Sequence, residues 1–339
     1  YPHGAAARRP GTQYVAEVKT SANSTRIIPF EFNTEQTYIL ELGNLYMRFY
    51  RDNGQILEGN KTITAITKAN PGVITCSSHD YLTGDEINIS SIVGMTELNN
   101  KRFLVVKIDA NTFSLTDVDG VAINTTNFTT YGSAGTMNRV FQITTTYTTA
   151  EIFDLKFAQS ADVMYITHPN HQTRKLSRTG HTTWTLAAVE FTNGPFLDTN
   201  VSTTTLTPAS AGVGTGVNVT ASAVAGVNGG SGFLTTDVGR QIRIGDGYGI
   251  ITARTNTTVV VVTVTTAFAN TNANTDWSLG AFSTTTGFPS CVSFFEQRLV
   301  FAASINNPQT VYFSKSGDYE NMDANIGGTV ADDDAIIYT

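Results

Sequence analysis

The sequence predicts an all-β protein, with a β-propeller-like body of repeated meanders that carries two inserted small β-domains. Three observations predict this class. Thr and Val, which favour strands, and Asn and Gly, which favour turns, are abundant, whereas charged residues make up only 14% of the 339 residues. No stretch has the apolar spacing i, i+3, i+4, i+7 of a surface helix. The third observation is an internal repeat of short strands and turns, which is typical of propeller blades.

The repeat relates residues 291–322 to residues 154–184 at an offset of 137 positions, without a gap. Each copy has the pattern of strand, tight turn, strand, polar loop, strand and glycine-marked turn. A fainter third copy lies at residues 28–50. The aligned positions are Leu155 with Val292 and Phe30, Phe157 with Phe294 and Phe32, Val163 with Val300 and Tyr38, Ser177 with Ser314, and Gly180 with Gly317.

In chain order, the sequence divides into five segments. Residues 1–58 hold an N-terminal arm and the first meander, residues 59–138 an inserted small β-barrel, residues 139–198 the second meander, residues 199–289 a second inserted β-domain, and residues 290–339 the third meander. The first residue is not methionine, and the last residues read as the middle of a strand. Both features favour a piece of a longer protein, in which the third meander continues.

Some local features can be predicted more closely. Gly43-Asn44 separates two alternating apolar runs, which is the signal of a two-residue hairpin turn. Residues 147–153 are the best candidate for a short helical turn. Cys76 and Cys291 are too few for a disulfide framework or a metal knuckle, and we expect both to be buried free thiols.

The net charge of −7 argues against a surface that binds nucleic acid through its phosphates, because such binding needs a basic face. It is compatible with a wall that DNA passes without sticking, since acidic side chains repel phosphate. The pair Arg8-Arg9 could touch nucleic acid. A solvated or subunit-contacting loop is the favoured interpretation, because two arginines do not make a basic patch.

Two histidine-containing stretches are candidates for metal or acid–base chemistry. His79 is followed by Asp80 and Asp85, and His168 and His171 are three residues apart in a polar loop. A metal site needs three or four ligands, and no further ligand lies nearby in sequence. We therefore favour a strand-to-strand corner at His79 and a turn at His168–His171.

The remaining polar motifs favour structural roles. Residues 245–249 are glycine-rich but join two strands, so a phosphate loop, which requires a helix N-terminus, is disfavoured. The acidic groups at residues 117–119 and 332–334, the latter near Glu320 and Asp323, lack the spacing of a Ca²⁺ loop.

The acidic residues of the third repeat copy are not kept in the second. Glu296 aligns with Gln159, and Asp318 aligns with His181. We therefore assign no catalytic, cofactor-binding or metal-binding residue and expect no cofactor. The chain is not expected to be an enzyme.

Several segments together resemble a known family. They are RRPGTQYVAEVK, IIPFEFNTEQTYILELGNLYMRFYRDNGQI, DLKFAQSADVMYITHPNHQTRKLSRTGHTTWTL, VSFFEQRLVFAASINNPQTVYFSKSGDYENM and VADDDAI. In this order they resemble the tail nozzle proteins (tail tubular protein B-like) of short-tailed, podovirus-type bacteriophages, over about half of the chain. Residues 72–103 also resemble the small FCCH-like β-barrel named from ubiquitin-activating enzymes, although no nucleotide-binding fold supports ubiquitin chemistry.

The resemblance implies a structural subunit of the virion tail that is assembled in the bacterial host cytoplasm. It implies a homohexameric ring below the portal and head–tail adaptor protein, through which DNA is ejected. Tail fibre, spike or tip proteins would dock outside, and no membrane insertion is implied. The alternative is a phage receptor-binding or polysaccharide-degrading tail protein, which predicts an aromatic-lined cleft with two carboxylates. A propeller module that binds other proteins without forming a six-fold ring is a third possibility.

Overall fold

The computed structural model describes residues 11–32, 37–325 and 328–339. The all-β prediction is confirmed, because these residues form strands and three short 3₁₀ turns, at Thr96–Leu98, Asn228–Gly230 and Thr235–Asp237. The chain forms two compact units. Among the described residues, the first unit contains those up to 152 together with 179–184, and the second contains 153–178 and those from 185 onward. The described part of the chain has no helix that is long and apolar enough to cross a membrane.

The strands are numbered in chain order. The first twelve are β1 (Arg26–Glu31), β2 (Thr37–Gly43), β3 (Tyr46–Arg51), β4 (Gly54–Gln55), β5 (Lys61–Thr62), β6 (Ala65–Ile66), β7 (Val73–Thr75), β8 (Glu86–Val93), β9 (Lys101–Lys107), β10 (Thr112–Thr116), β11 (Ser133–Arg139) and β12 (Gln142–Thr144). The others are β13 (Lys156–Ser160), β14 (Val163–His168), β15 (His171–Gly180), β16 (Thr183–Ala188), β17 (Leu206–Pro208), β18 (Gly214–Ala221), β19 (Gln241–Ile244), β20 (Gly247–Arg254), β21 (Val259–Thr266), β22 (Trp277–Leu279), β23 (Cys291–Phe295), β24 (Arg298–Ala302), β25 (Val311–Phe313) and β26 (Ile336–Tyr338).

The first meander is the antiparallel sheet β1-β2-β3-β12, with β4 paired to β3. Alternation along β1 and β2 turns Phe30, Tyr38 and Leu40 into the core, where each is fully buried. The indole of Trp184 packs in the same core and stacks on Phe49, with ring centroids 4.3 Å apart. Residues 142–144, which the sequence assigns to the second meander, therefore supply the last strand of the first.

The structure refines two local predictions in this part of the chain. The hairpin turn lies at residues 44–45, with Leu45 at φ 64°, and Gly43 is the last residue of β2. A Cβ at Gly43 would overlap the ring of Tyr46, so this glycine serves a close approach rather than the turn. The expected helical turn at 147–153 is a single turn that does not continue into a helix: the N–H groups of Glu151 and Ile152 both donate to the carbonyl of Thr148, at 3.0 and 3.2 Å.

The second meander is β13-β14-β15-β16 and the third is β23-β24-β25-β26, and both are antiparallel. Residues from both meanders share one hydrophobic cluster, which includes Tyr165 from β14 and Leu299, Phe301 and Tyr312 from the third meander. Phe294 meets Tyr165 edge to face at 6.1 Å. The two repeat copies therefore bury apolar side chains against each other, as stacked sheets do.

The hairpin turns correct the repeat alignment. The turn between β13 and β14 is Ala161-Asp162, and the turn between β23 and β24 is Glu296-Gln297, which is an offset of 135 instead of 137. Ala161 and Glu296 both have positive φ, at 49° and 44°. A shift of two residues keeps every side chain on the same face of a strand, so apolar alternation alone cannot detect it.

The two inserted domains have the same strand order. The first sheet runs β5-β11-β8-β9-β10-β7-β6, and the second runs β17-β18-β21-β20-β19-β22. The correspondence is seen when β5 is left out and the second order is read backwards. The first sheet then has the order β11-β8-β9-β10-β7-β6, and the second has the matching order β22-β19-β20-β21-β18-β17. The two end strands of the first sheet belong to one stretch of chain, because residues 61–63 bond to β11 and residues 64–66 bond to β7. The first inserted sheet therefore curls round toward itself, in keeping with the small barrel that the sequence predicts.

The two inserted domains also share a corner before their central strands. The N–H of Leu82 donates to Asp85 Oδ2 at 2.9 Å, and the N–H of Leu234 donates to Asp237 Oδ2 at 2.8 Å. A buried aromatic residue precedes each leucine, namely Tyr81 and Phe233. Topology and local hydrogen bonding thus indicate two domains of one structural class.

Candidate interaction surfaces and domain junctions

The histidine candidates have partners within the fold. His79 is fully buried; its Nδ1 accepts from the N–H of Tyr81 at 3.0 Å, and its Nε2 lies 2.9 Å from the carbonyl oxygen of Asp109. Both ring nitrogens thus belong to the corner between β7 and β8. His168 and His171 pair across the two-residue turn between β14 and β15, with ring centroids 5.0 Å apart.

The acidic loop at residues 332–334 is bound by two basic side chains, those of Arg298 and Lys315. The guanidinium of Arg298 donates to the carbonyls of Asp332 and Asp334, at 2.5 and 2.6 Å. The ammonium of Lys315 lies 2.8 Å from Asp334 Oδ1 and, together with the N–H of Ala331, holds the pKa of this carboxyl below its ordinary value. These contacts give the loop a structural role.

The acidic residues at 117–119 and Glu320 make separate local contacts. Asp117 Oδ1 accepts from the N–H groups of Asp119 and Val121 and closes its own turn. Glu320 pairs with Lys175 at 2.6 Å. Residues 245–246 form the turn of the β19–β20 hairpin, as the sequence predicts.

The first inserted domain joins the first meander through a buried ion network. Glu86, the first residue of β8, binds Arg48 of β3 at 2.8 Å and Arg102 of β9 at 2.7 Å. The side chains of Arg48 and Glu86 are only 1% and 4% exposed. Beside them, Glu41 accepts hydrogen bonds from the hydroxyls of Tyr46 and Tyr50. Buried charges of this kind fix the geometry of a junction, because each loses much when its partner moves.

The second inserted domain is anchored by the corresponding strand. Gln241 is the first residue of β19, as Glu86 is of β8. Its side-chain amide donates to the carbonyls of Phe191 and Gly194, and its Oε1 accepts from the N–H of Gly194. The side-chain amide of Gln241 thus makes the contacts at this junction, whereas the carboxylate of Glu86 makes them at the first junction.

A cleft of about 310 Å³ lies beside Gln241 in the second unit. Phe191, Phe282 and Phe288 contribute to its wall. Glu190 is the one carboxylate among the residues that line it, all of which are described. The arrangement is aromatic but lacks the pair of carboxylates that glycoside hydrolysis requires.

The third meander has an apolar face that is open to solvent. We call it the outer face; it is defined by Cys291, Ser293, Phe295, Val300, Ala302, Val311, Phe313, Ile336 and Tyr338, which strand pairing places on one side. Phe295 is 58% exposed and Tyr338 is 71% exposed. The prediction that both thiols are buried is therefore wrong for Cys291, which is exposed on this face, whereas Cys76 is buried.

A second open surface, with a lining that is partly apolar and partly polar, belongs to the first meander. We call it the strap groove; it has a volume of about 420 Å³ between residues 15–18 and the sheet. Its apolar lining is Val15, Ala16, Val18, Ile27, Ile39 and the ring of Tyr50. Ile27 is 65% exposed. Arg8 and Arg9, the basic pair of the arm, lie outside the described residues.

A family model and several curated proteins match a small part of the chain. Residues 69–140 match the ubiquitin-activating enzyme E1 FCCH domain. Ubiquitin-like modifier-activating enzyme 1 of Oryctolagus cuniculus is 35% identical over 82 residues, which is 23% of this chain and 7% of the relative. The Homo sapiens protein is 34% identical over the same length. This chain therefore covers only a small part of these curated relatives, and the residues that match the family model, 69–140, include most of the first inserted domain.

One solved structure aligns with more of the chain, but at low similarity. The phage phi92 endosialidase covers 87% of this chain and 54% of its own, with 10% identity and a TM-score of 0.18. This value is too low to carry an argument about fold or function.

Proposed function

We propose that this chain is a structural subunit of the tail nozzle of a short-tailed phage. In this proposal several copies, six by the resemblance, form a ring below the portal and adaptor. DNA leaves through the ring, and tail fibres, spikes or tip proteins dock on it. The chain has no catalytic step of its own in this role.

The observation that carries the proposal is the placement of the segments that resemble nozzle proteins. Those at residues 27–56, 154–186 and 292–322 contain the main strands of the three meanders. They fall outside the sheets of the two inserted domains. The resemblance is therefore to a repeated β-body, and the inserted domains decorate it, as binding elements commonly decorate a rigid scaffold.

Charge and site chemistry support the same proposal. A net charge of −7 suits a conduit that must not retain DNA. His79, Asp117, Glu320 and Asp334 are engaged in turns, corners and ion pairs. The aromatic cleft with its single carboxylate is a poor match to the polysaccharide-degrading alternative.

The test is the symmetry of the purified full chain and of intact tails, measured by native mass spectrometry and averaged electron images. We expect a closed six-fold ring with a hole wide enough for duplex DNA, and weak DNA retention at physiological salt. A three-fold rod, or release of sugars from host polysaccharide, would replace this proposal with the receptor-binding or depolymerase alternative.

A further inference from the structure

The cleft beside Gln241 is lined by a break in the strand pattern of the second meander. The pairing of β14 with β15 shifts between Ile166 and His168. Gln172 and Thr173 of β15 therefore oppose one residue of β14, which is a β-bulge. Neighbouring residues of a regular strand point to opposite faces, but here both residues line the cleft. Bulges that redirect a side chain in this way are common next to active sites.

The hydroxyl of Thr173 is buried without a hydrogen-bond partner in the part of the chain that the structure describes. Thr173 is 1% exposed and lines the cleft. Buried polar groups are nearly always hydrogen-bonded, because an unpaired one costs free energy. A molecule bound in the cleft would supply the missing partner.

Two further polar side chains of the cleft are open to a ligand. Gln172 and Glu190 are exposed, and neither side chain has a hydrogen-bond or ion-pair partner among the described residues. Lysine, arginine and histidine are absent from the lining residues, all of which are described. The carboxylate of Glu190 is therefore not neutralised in the cleft, and it disfavours an anionic ligand by charge repulsion.

Three phenylalanine rings form much of the apolar wall. Phe191 and Phe282 both meet Phe301 edge to face, at 5.3 and 6.2 Å, so their positions are fixed by the core. Phe288 is the third ring. The negative face of such a ring attracts the slightly positive hydrogens of C–H groups. The volume of about 310 Å³ is at the lower end of the range for small-molecule sites, so the cleft suits a small ligand with both apolar and polar parts.

We propose that this cleft binds one neutral pyranose unit of a saccharide. A pyranose presents C–H groups to the phenylalanine rings, and its hydroxyls both donate and accept hydrogen bonds. They donate to the carboxylate of Glu190 and accept from the amide of Gln172 and the hydroxyl of Thr173. An organic cation would use Glu190 but offers no acceptor to the other two groups. Because the cleft has one carboxylate, it binds the sugar without hydrolysing it.

The test is saturation-transfer NMR of the whole chain with simple probes. The neutral probes are the methyl pyranosides of glucose, galactose, mannose and N-acetylglucosamine. Choline is the cationic probe, and N-acetylneuraminate is the anionic probe. We expect saturation of the C–H protons of at least one neutral pyranoside and none for choline or N-acetylneuraminate. A titration of the pyranoside with the strongest signal gives its dissociation constant.

Variants of the lining separate binding from folding. Thr173→Val should weaken binding about tenfold without lowering the urea midpoint of unfolding, because the hydroxyl it removes has no partner in the described part of the protein. Thr167→Val is the matched control, since that hydroxyl is also buried and unpartnered there but Thr167 does not line the cleft. Glu190→Gln should also weaken binding about tenfold, whereas Glu296→Gln, at an exposed carboxylate elsewhere, should leave it unchanged.

Several outcomes would overturn the assignment. If no neutral pyranoside receives saturation, or if only choline or N-acetylneuraminate does, the cleft is not a neutral-sugar site. If Thr173→Val lowers the urea midpoint but leaves the affinity unchanged, its hydroxyl is structural. If Thr167→Val weakens binding as much as Thr173→Val, the loss does not come from the lining of the cleft. None of these results bears on the symmetry of the assembly, so failure here is distinguishable from failure of the nozzle proposal.

Discussion

The buried pair of Arg48 and Glu86 allows a sharp test of how the first inserted domain is fixed. We predict that Glu86→Gln destabilises the first unit, because it leaves the Arg48 guanidinium, 1% exposed, without its carboxylate partner at 2.8 Å. Removal of one partner of a buried ion pair typically costs about 3–5 kcal/mol. We expect about 3 kcal/mol, the low end of that range, because Arg102 is 20% exposed and can turn to water.

The two tryptophans make the measurement specific to each unit. Trp184 belongs to the first unit and Trp277 to the second. Urea unfolding followed by Trp184 emission in a Trp277→Phe background therefore reports the first unit. With an m-value of about 2 kcal/mol per molar, a loss of about 3 kcal/mol shifts the midpoint by roughly 1.5 M.

A double variant separates the attraction between Arg48 and Glu86 from the cost of removing their charges from water. We expect Arg48→Met with Glu86→Leu to recover most of the loss, because an apolar pair of similar volume needs no desolvation of charge. The control is Glu320→Gln in the partly exposed pair with Lys175, whose side chains are 26% and 31% exposed. It is read by Trp277 in a Trp184→Phe background, where we expect about 1 kcal/mol. If Glu86→Gln costs no more than this control, or if the double variant costs the sum of its parts, the reasoning is refuted.

Three further predictions concern the cores, the corners and the tyrosines. Trp184→Ala should cost about 3–5 kcal/mol in urea unfolding, because it removes the centre of an aromatic core; a cost below 1 kcal/mol would contradict that packing. Asp237→Ala, at a fully buried corner, should cost about 3–5 kcal/mol, and Asp85→Ala, at the equivalent but less buried corner, about 1–2 kcal/mol; equal melting temperatures would argue against this ranking. Burial and the hydrogen bond to Glu41 raise the pKa values of Tyr46 and Tyr50 above their ordinary value of 10.0, so their contribution to stability is complete below pH 10 and declines as the pH rises further. Replacement of both by Phe should flatten that decline in unfolding midpoints, and an unchanged decline would show that other groups cause it.

The repeat was visible in the sequence because the meander is local. Strand, turn and strand follow one another, and each strand alternates with period two, so similar residues recur at similar spacing. The offset of 137 was wrong by two at the first hairpin because register depends on the turn, and the turns Ala161-Asp162 and Glu296-Gln297 share no residue type.

The junctions and the open surfaces were not predicted, since they depend on contacts distant in sequence. Arg48 and Glu86 are ordinary strand residues until folding places them together. The outer face did leave a signal, since CVSFF and IIY lack the polar alternation of a solvated strand. The shared topology of the inserted domains left only the short pattern Leu-Thr-x-Asp, at residues 82–85 and 234–237.

Trp184 also determines when the first unit can finish folding. Its core is completed by residues 179–184, which are synthesised after β13, β14 and most of β15. A nascent chain that has emerged only as far as residue 152 has the first meander and its inserted domain but lacks the indole on which Phe49 stacks. Domains usually fold one after another from the N-terminus during synthesis. Here the first unit must wait, with an incomplete core, until much of the second meander has left the ribosome.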